Sequence, residues 1–99
     1  MNRRLIIRRA AEEDLEEASA WYEGQRDGLG KEFLAAVGET LEKVANHPDF
    51  GIVVHQRLRR ANVRRFPYGV FYLVEQDRIV VVGVLHGRRA PRVWKSRSE

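Results

Sequence analysis

Ninety-nine residues, 43% of them apolar and none cysteine, exclude a multi-domain chain and a disulfide-stapled scaffold. One domain over residues 1–99 and a cytoplasmic location are the expectations. The net charge of +4 conceals a division: residues 10–50 carry eleven acids against Arg26, Lys31 and Lys43, a sum of −8, which leaves +12 for the rest. Such a division points to a polyanion or an acidic peptide as partner, unless the basic face is only solvated.

The start, Met1 to Arg9, is basic, but its apolar run Leu5-Ile6-Ile7 is too short for a signal peptide and reads as a first strand within Arg4–Arg9. No stretch approaches the ~20 apolar residues that would span a bilayer, so no membrane partner is expected. A helix is expected from about Ala11 to Gly24, with Ala11, Leu15, Ala18 and Tyr22 on one stripe. Glu12, Glu13 and Asp14 suit the positive end of its dipole, although Ala10 and Ala11 stand where a capping Ser, Thr or Asp belongs. Gly28 and Gly30 punctuate the connection to a second helix from Leu29 to Asn46, with Phe33, Val37, Leu41 and Val44 on one face. Pro48 stops it, because proline cannot extend the ladder and biases the residue before it away from helix.

The pattern then changes to strands, expected at Val53–Gln56, Leu58–Arg65, Gly69–Glu75 and Arg78–His86. The turn formers of Phe66-Pro67-Tyr68-Gly69 and Glu75-Gln76-Asp77-Arg78 join the last three. In the last strand Ile79, Val81, Gly83 and Leu85 alternate with Val80, Val82, Val84 and His86, so both faces are apolar. A helical hairpin covers only one face of a sheet. A second chain is therefore expected to close part of the other, with Val80, Val82 and Val84 as the candidates.

Catalytic motifs of the common kinds are absent: no cysteine, no Gly-x-Ser-x-Gly, no phosphate-cradling glycine loop, no metal-ligand spacing. No cofactor and no metal site are expected. His47 and His55 stand alone and read as ordinary surface or turn residues. His86 differs, since it ends a buried strand and precedes Arg88 and Arg89, while Arg64 and Arg65 close an earlier one. In a meander these five residues would meet at one end of the sheet. Guanidinium groups beside an imidazole can hold a phosphate and move a proton, or they can hold an acidic protein surface. Equally, Arg64 and Arg89 could simply pair with helix carboxylates such as Glu16 or Glu39. Phe66, Tyr68, Phe71, Tyr72 and Trp94 could stack on bases, but aromatics at alternating positions belong more often to a core, and Tyr72 is read that way.

Taken together, Ala11-x-x-Asp14-Leu15, Trp21-Tyr22, Val63-Arg64-Arg65-Phe66-Pro67-Tyr68 and His86-x-Arg88-Arg89-x-Pro91-x-x-Trp94 resemble the RelE/ParE superfamily of type II toxin–antitoxin (plasmid stabilisation) modules. The likeness runs from Leu5 to Trp94. It implies an α+β fold, an N-terminal strand, a two-helix hairpin and an antiparallel β-meander, with the helices on one face. It also implies an antitoxin whose C-terminal segment wraps and silences the toxin, with DNA met only indirectly through that antitoxin. One branch of the superfamily cleaves ribosome-bound messenger RNA, and there Arg64 or Arg65, Arg88 or Arg89, and His86 would match nuclease positions. The other branch poisons DNA gyrase without hydrolysis, and there the same residues would bind the target. Gly87 follows His86 and no tyrosine lies beyond it, so the base-stacking aromatic of many of the nucleases is lacking unless Trp94 replaces it. The Phe-Pro-Tyr and His-x-Arg-Arg pieces look more like the ParE branch. The expectation is a gyrase-directed, growth-arresting toxin; the alternatives are an mRNA endoribonuclease and a non-toxic member that only binds antitoxin.

Overall fold

A computed structural model describes residues 3–98 of the chain. The elements run β1 (Arg4–Ile7), α1 (Arg9–Gln25), α2 (Leu29–Asn46), β2 (Ile52–His55), β3 (Leu58–Asn62), β4 (Tyr68–Val74), β5 (Arg78–His86) and α3 (Pro91–Ser96). The sheet has the order β1-β5-β4-β3-β2, a mixed sheet in which β1 lies parallel to β5 and the other pairs are antiparallel. The α+β class and the meander expected from the sequence are both present.

Helix α1 begins at Arg9, two residues before the expected start, and its extended N-cap Arg8 makes no side-chain capping bond. Helix α2 is capped from outside instead. The Glu23 carboxylate on α1 accepts the Gly28 and Gly30 N–H groups, each at 2.9 Å, and satisfies two donors that would otherwise be left open at the first turn. Gly28 sits at φ +88°, and a Cβ on Gly30 would stand 2.7 Å from the Ser19 carbonyl oxygen. Glycine at 30 is what lets the two helices close on each other.

The apolar stripe of α2, with Phe33, Val37 and Val44 buried, packs on the sheet face formed by Ala61, Val70, Tyr72, Ile79 and Val81. Tyr72 is core, as its pattern indicated, and its hydroxyl is fully used: it donates to the Pro48 carbonyl at 2.8 Å and accepts the Gly51 N–H at 2.7 Å. Strand β3 ends at Asn62 rather than at Arg65, because Arg65 lies at φ +74° inside the turn that leads to Tyr68.

Two findings correct the expected alternation of β5. Phe71 pairs with Gly83 but Tyr72 pairs with Val81, so Val82 is an extra residue in a bulge. Beyond it the faces exchange. Val84 joins Ile79 and Val81 under the helices, while Leu85 joins Val80 and Val82 on the opposite face. The second correction concerns what covers that opposite face. The chain's own α3 lies there, packing Val93 and Trp94 against the cluster of Leu58, Phe71, Val80, Val82 and Leu85. The Trp94 ring stacks on Phe71 with centroids 5.5 Å apart. The cover expected from a second chain is therefore supplied, over Val80 and Val82, by the chain itself.

Candidate functional site between the first helix and the last strand

The bulge in β5 decides where its end points. After the exchange of faces His86 falls on the helix side, with its ring 5.3 Å from Tyr68. Tyr68 belongs to an aromatic group with Tyr22, Phe33 and Phe66, centroids 4.9 to 6.0 Å apart. That group is core on one side. On the other it forms the wall of a cleft of about 460 Å³, bounded by Glu17, Ala18 and Trp21 of α1, by Pro67 and Tyr68, and by β5 from Val84 to His86 with Arg89 beyond. Trp21 stands at its rim, 59% exposed, with its ring 5.1 Å from Tyr22.

The base of the cleft is held by an ion pair that joins the two ends of the chain. Arg97 approaches Asp14 through two nitrogens, Nη1 to Oδ2 at 2.6 Å and Nη2 to Oδ1 at 3.2 Å, with side chains only 23% and 12% exposed. The same carboxylate accepts the Val84 N–H at 2.9 Å, and Arg97 Nη1 also donates to the Val82 carbonyl at 3.2 Å. Backbone groups loosened by the bulge thus find charged partners. Sequence reading saw Asp14 as a helix-dipole acid and as a member of the Ala11-x-x-Asp14-Leu15 motif, and passed over Arg97. The pair spans 83 residues, and no local pattern marks it.

Of the five residues singled out in the sequence, His86 and Arg89 border this cleft. The Arg88 N–H donates to His86 Nδ1 at 3.0 Å, which leaves Nε2 as the ring nitrogen available to a ligand. The Arg88 side chain is exposed. Arg65 leaves the group: its Nη2 binds Glu32 Oε1 at 3.2 Å, and its guanidinium lies 5.7 Å from the Phe66 ring centre. Arg64 is exposed in the same turn, without an ion-pair partner among the described residues. The carboxylate that takes an arginine here is Glu32, and neither Glu16 nor Glu39 does so. The turns carrying the two arginine pairs are joined by one bond, from the Gly87 N–H to the Pro67 carbonyl at 2.8 Å.

Burial pushes the Tyr22 and Tyr68 phenols above their ordinary value, and for Tyr68 the neighbouring Tyr22 and Glu17 add to the effect while Arg89 opposes it. Both phenols are therefore neutral hydrogen-bonding groups at physiological pH. Glu32 is held below the usual carboxylate range by hydrogen bonds from Arg26 and then Arg65. Among the described residues no group of three or more His, Cys, Asp or Glu gathers to hold a metal ion. The cleft can offer aromatic surface, one imidazole nitrogen, one guanidinium and one carboxylate, a set suited to a peptide or another mixed polar and apolar ligand.

The sequence profile described as the ParE toxin of the type II toxin–antitoxin system parDE matches residues 5–91. The chain belongs to the ParE toxin family. Solved structures agree on the fold. A chain of the chromosomal ParDE toxin–antitoxin system from P. aeruginosa superposes with a TM-score of 0.73 at 16% identity, over 85% of this chain and 95% of that one. A copper-bound variant toxin from Helicobacter pylori reaches a TM-score of 0.52, also at 16% identity, over 85% of this chain and 93% of that one. Among curated proteins none matches this sequence. The ParE-family match ends at Pro91, the first residue of α3, so the rest of that helix and Arg97 lie beyond the matched residues. The matched family is that of the toxins of type II toxin–antitoxin modules. No helix of the described residues is long and apolar enough to cross a membrane.

Proposed function

We propose that this ParE-family chain arrests bacterial growth in the cytoplasm by binding DNA gyrase, without hydrolytic chemistry, and that its antitoxin neutralises it by occupying the toxin directly. The observation that carries the reading is the dispersal of the cationic groups. A nuclease of the related branch would need arginines converging with a proton-transferring side chain on one phosphate. Here Arg65 is bound to Glu32, Arg64 and Arg88 are exposed and do not line the cleft, and of the four arginines only Arg89 shares it with the imidazole. Such a set can recognise a protein surface, and it is poorly arranged to stabilise a phosphorane.

Under this reading Arg64, Arg88 and Arg89 are target-binding residues, and His86 positions the loop that carries Arg88 and Arg89. Inducing the chain alone in bacteria will stop growth, and co-inducing the antitoxin from the adjacent reading frame will restore it. Unimpaired growth at good expression would instead identify a member that only binds antitoxin.

A further inference from the structure

The two edges of the sheet differ in how they meet a second strand. Strand β1 stands at one end of the order and β2 at the other. Residues 3–9 place Arg3, Arg4, Arg8 and Arg9 around Leu5-Ile6-Ile7 with no acid, so a second β1 laid antiparallel on the first would set arginine against arginine. Strand β2, Ile52-Val53-Val54-His55, has no acid, lysine or arginine of its own. Of the five large hydrophobic side chains exposed among the described residues, three lie at this edge: Phe50 at 47%, Ile52 at 59% and Val53 at 54%. An apolar edge with no guarding charge is a template for another strand.

The edge is also held in place. Gly51 turns its backbone inward, where its N–H donates to the Tyr72 hydroxyl at 2.7 Å and its carbonyl accepts Arg59 Nη1 at 2.6 Å. The alternation of an antiparallel ladder then turns the N–H and carbonyl of Ile52 outward. A register shift between Val53 and His55 keeps the open stretch short. Charges at its two ends select the occupant. Asp49 lies four residues before Val53 and Arg57 four after, and neither has an ion-pair partner among the described residues. Arg57 Nη2 donates to the Val74 carbonyl at 3.0 Å, which positions the guanidinium without neutralising it. Two copies laid antiparallel about a two-fold axis at Val53 set Asp49 of each against Arg57 of the other, and Ile52 of each against Val54 of the other. The edge is thus complementary to itself, in charge as well as in apolar surface. We propose that the chain self-associates through β2, so that two five-stranded sheets join into one. Strands β3 and β4 separate β2 from β5, so the clefts of both copies stay uncovered.

Sedimentation of the purified chain over a range of concentrations is the test. So short a ladder buries less than a standard interface, and a monomer–dimer equilibrium with a dissociation constant on the order of 10 to 100 µM is expected. Val53→Lys puts two like charges at the axis and will weaken the dimer by about tenfold or more. The side chain it replaces is more than half exposed, so the fold survives. Asp49→Arg and Arg57→Asp will each weaken self-association, because each leaves like charges opposed at both ends of the ladder. Mixed together, these two variants will form a heterodimer, since each then meets its opposite charge at both ends. A chain that stays monomeric up to several hundred micromolar overturns the proposal, against the dissociation constant expected of so small an interface. So does a dimer indifferent to Val53→Lys, or a mixture of the two charge variants that associates no better than either alone.

Discussion

Asp14 is the residue on which most of this structure converges. One carboxylate answers Arg97 from the far end of the chain and the Val84 N–H from the bulged strand, and it does so almost out of water. Removing the cation leaves a largely buried charge with one backbone donor. Arg97→Ala is expected to cost about 2 kcal/mol, below the 3–5 kcal/mol of a fully buried pair because both side chains keep some exposure. Urea unfolding measures this, and Arg97→Lys will recover only part of it, since lysine cannot make the two-pronged contact. Asp14 was legible in the sequence as part of the Ala11-x-x-Asp14-Leu15 motif, but its partner was not. A long-range pair is set by tertiary approach, and Arg97 stands among serines and lysine with nothing to distinguish it.

At the scale of elements, α2 was the most readable, because Phe33, Val37 and Val44 repeat with helical spacing and all three are buried. Helix α3 was missed for the opposite reason. Its six residues, Pro91 to Ser96, are too short to display a period, and Trp94 looked like a possible base-stacking residue when it is the lid on Phe71. Trp94→Ala is expected to destabilise by about 2 kcal/mol, at the lower edge of buried-aromatic losses because the ring is only partly buried, and to raise binding of a hydrophobic dye as Phe71 and Val82 open to water. The bulge at Val82 was equally hidden. Alternation along one strand cannot reveal an extra residue that exists only relative to its neighbour.

The link between α1 and α2 carries its own pH dependence. The Gly28 and Gly30 N–H groups hold Glu23 below its ordinary value of 4.5. A carboxylate lowered in the folded state contributes stability above that ordinary value and loses it as pH falls through the lowered one. Thermal unfolding followed from neutral to acid pH will show the loss, and Glu23→Gln will flatten that part of the profile while lowering stability at neutral pH.

Over the whole molecule, the division of charge in the sequence corresponds to a division of elements: the acidic stretch is mainly the helical hairpin, and the basic residues belong chiefly to the sheet, its turns and the C-terminal segment. The fold class and the family were legible because strand, hairpin and meander follow one another in order with a motif at the end. The geometry of the candidate site was not, because it depends on a one-residue slip that carries His86 to the helix side and on a turn at Arg65 that removes one arginine from the group. What remains around the cleft fits a surface that grips proteins. The most direct measurement is supercoiling by purified gyrase in the presence of the purified chain, run beside cleavage of ribosome-bound message. Loss of supercoiling with intact message is the predicted result, and cleaved message with gyrase unaffected would contradict it.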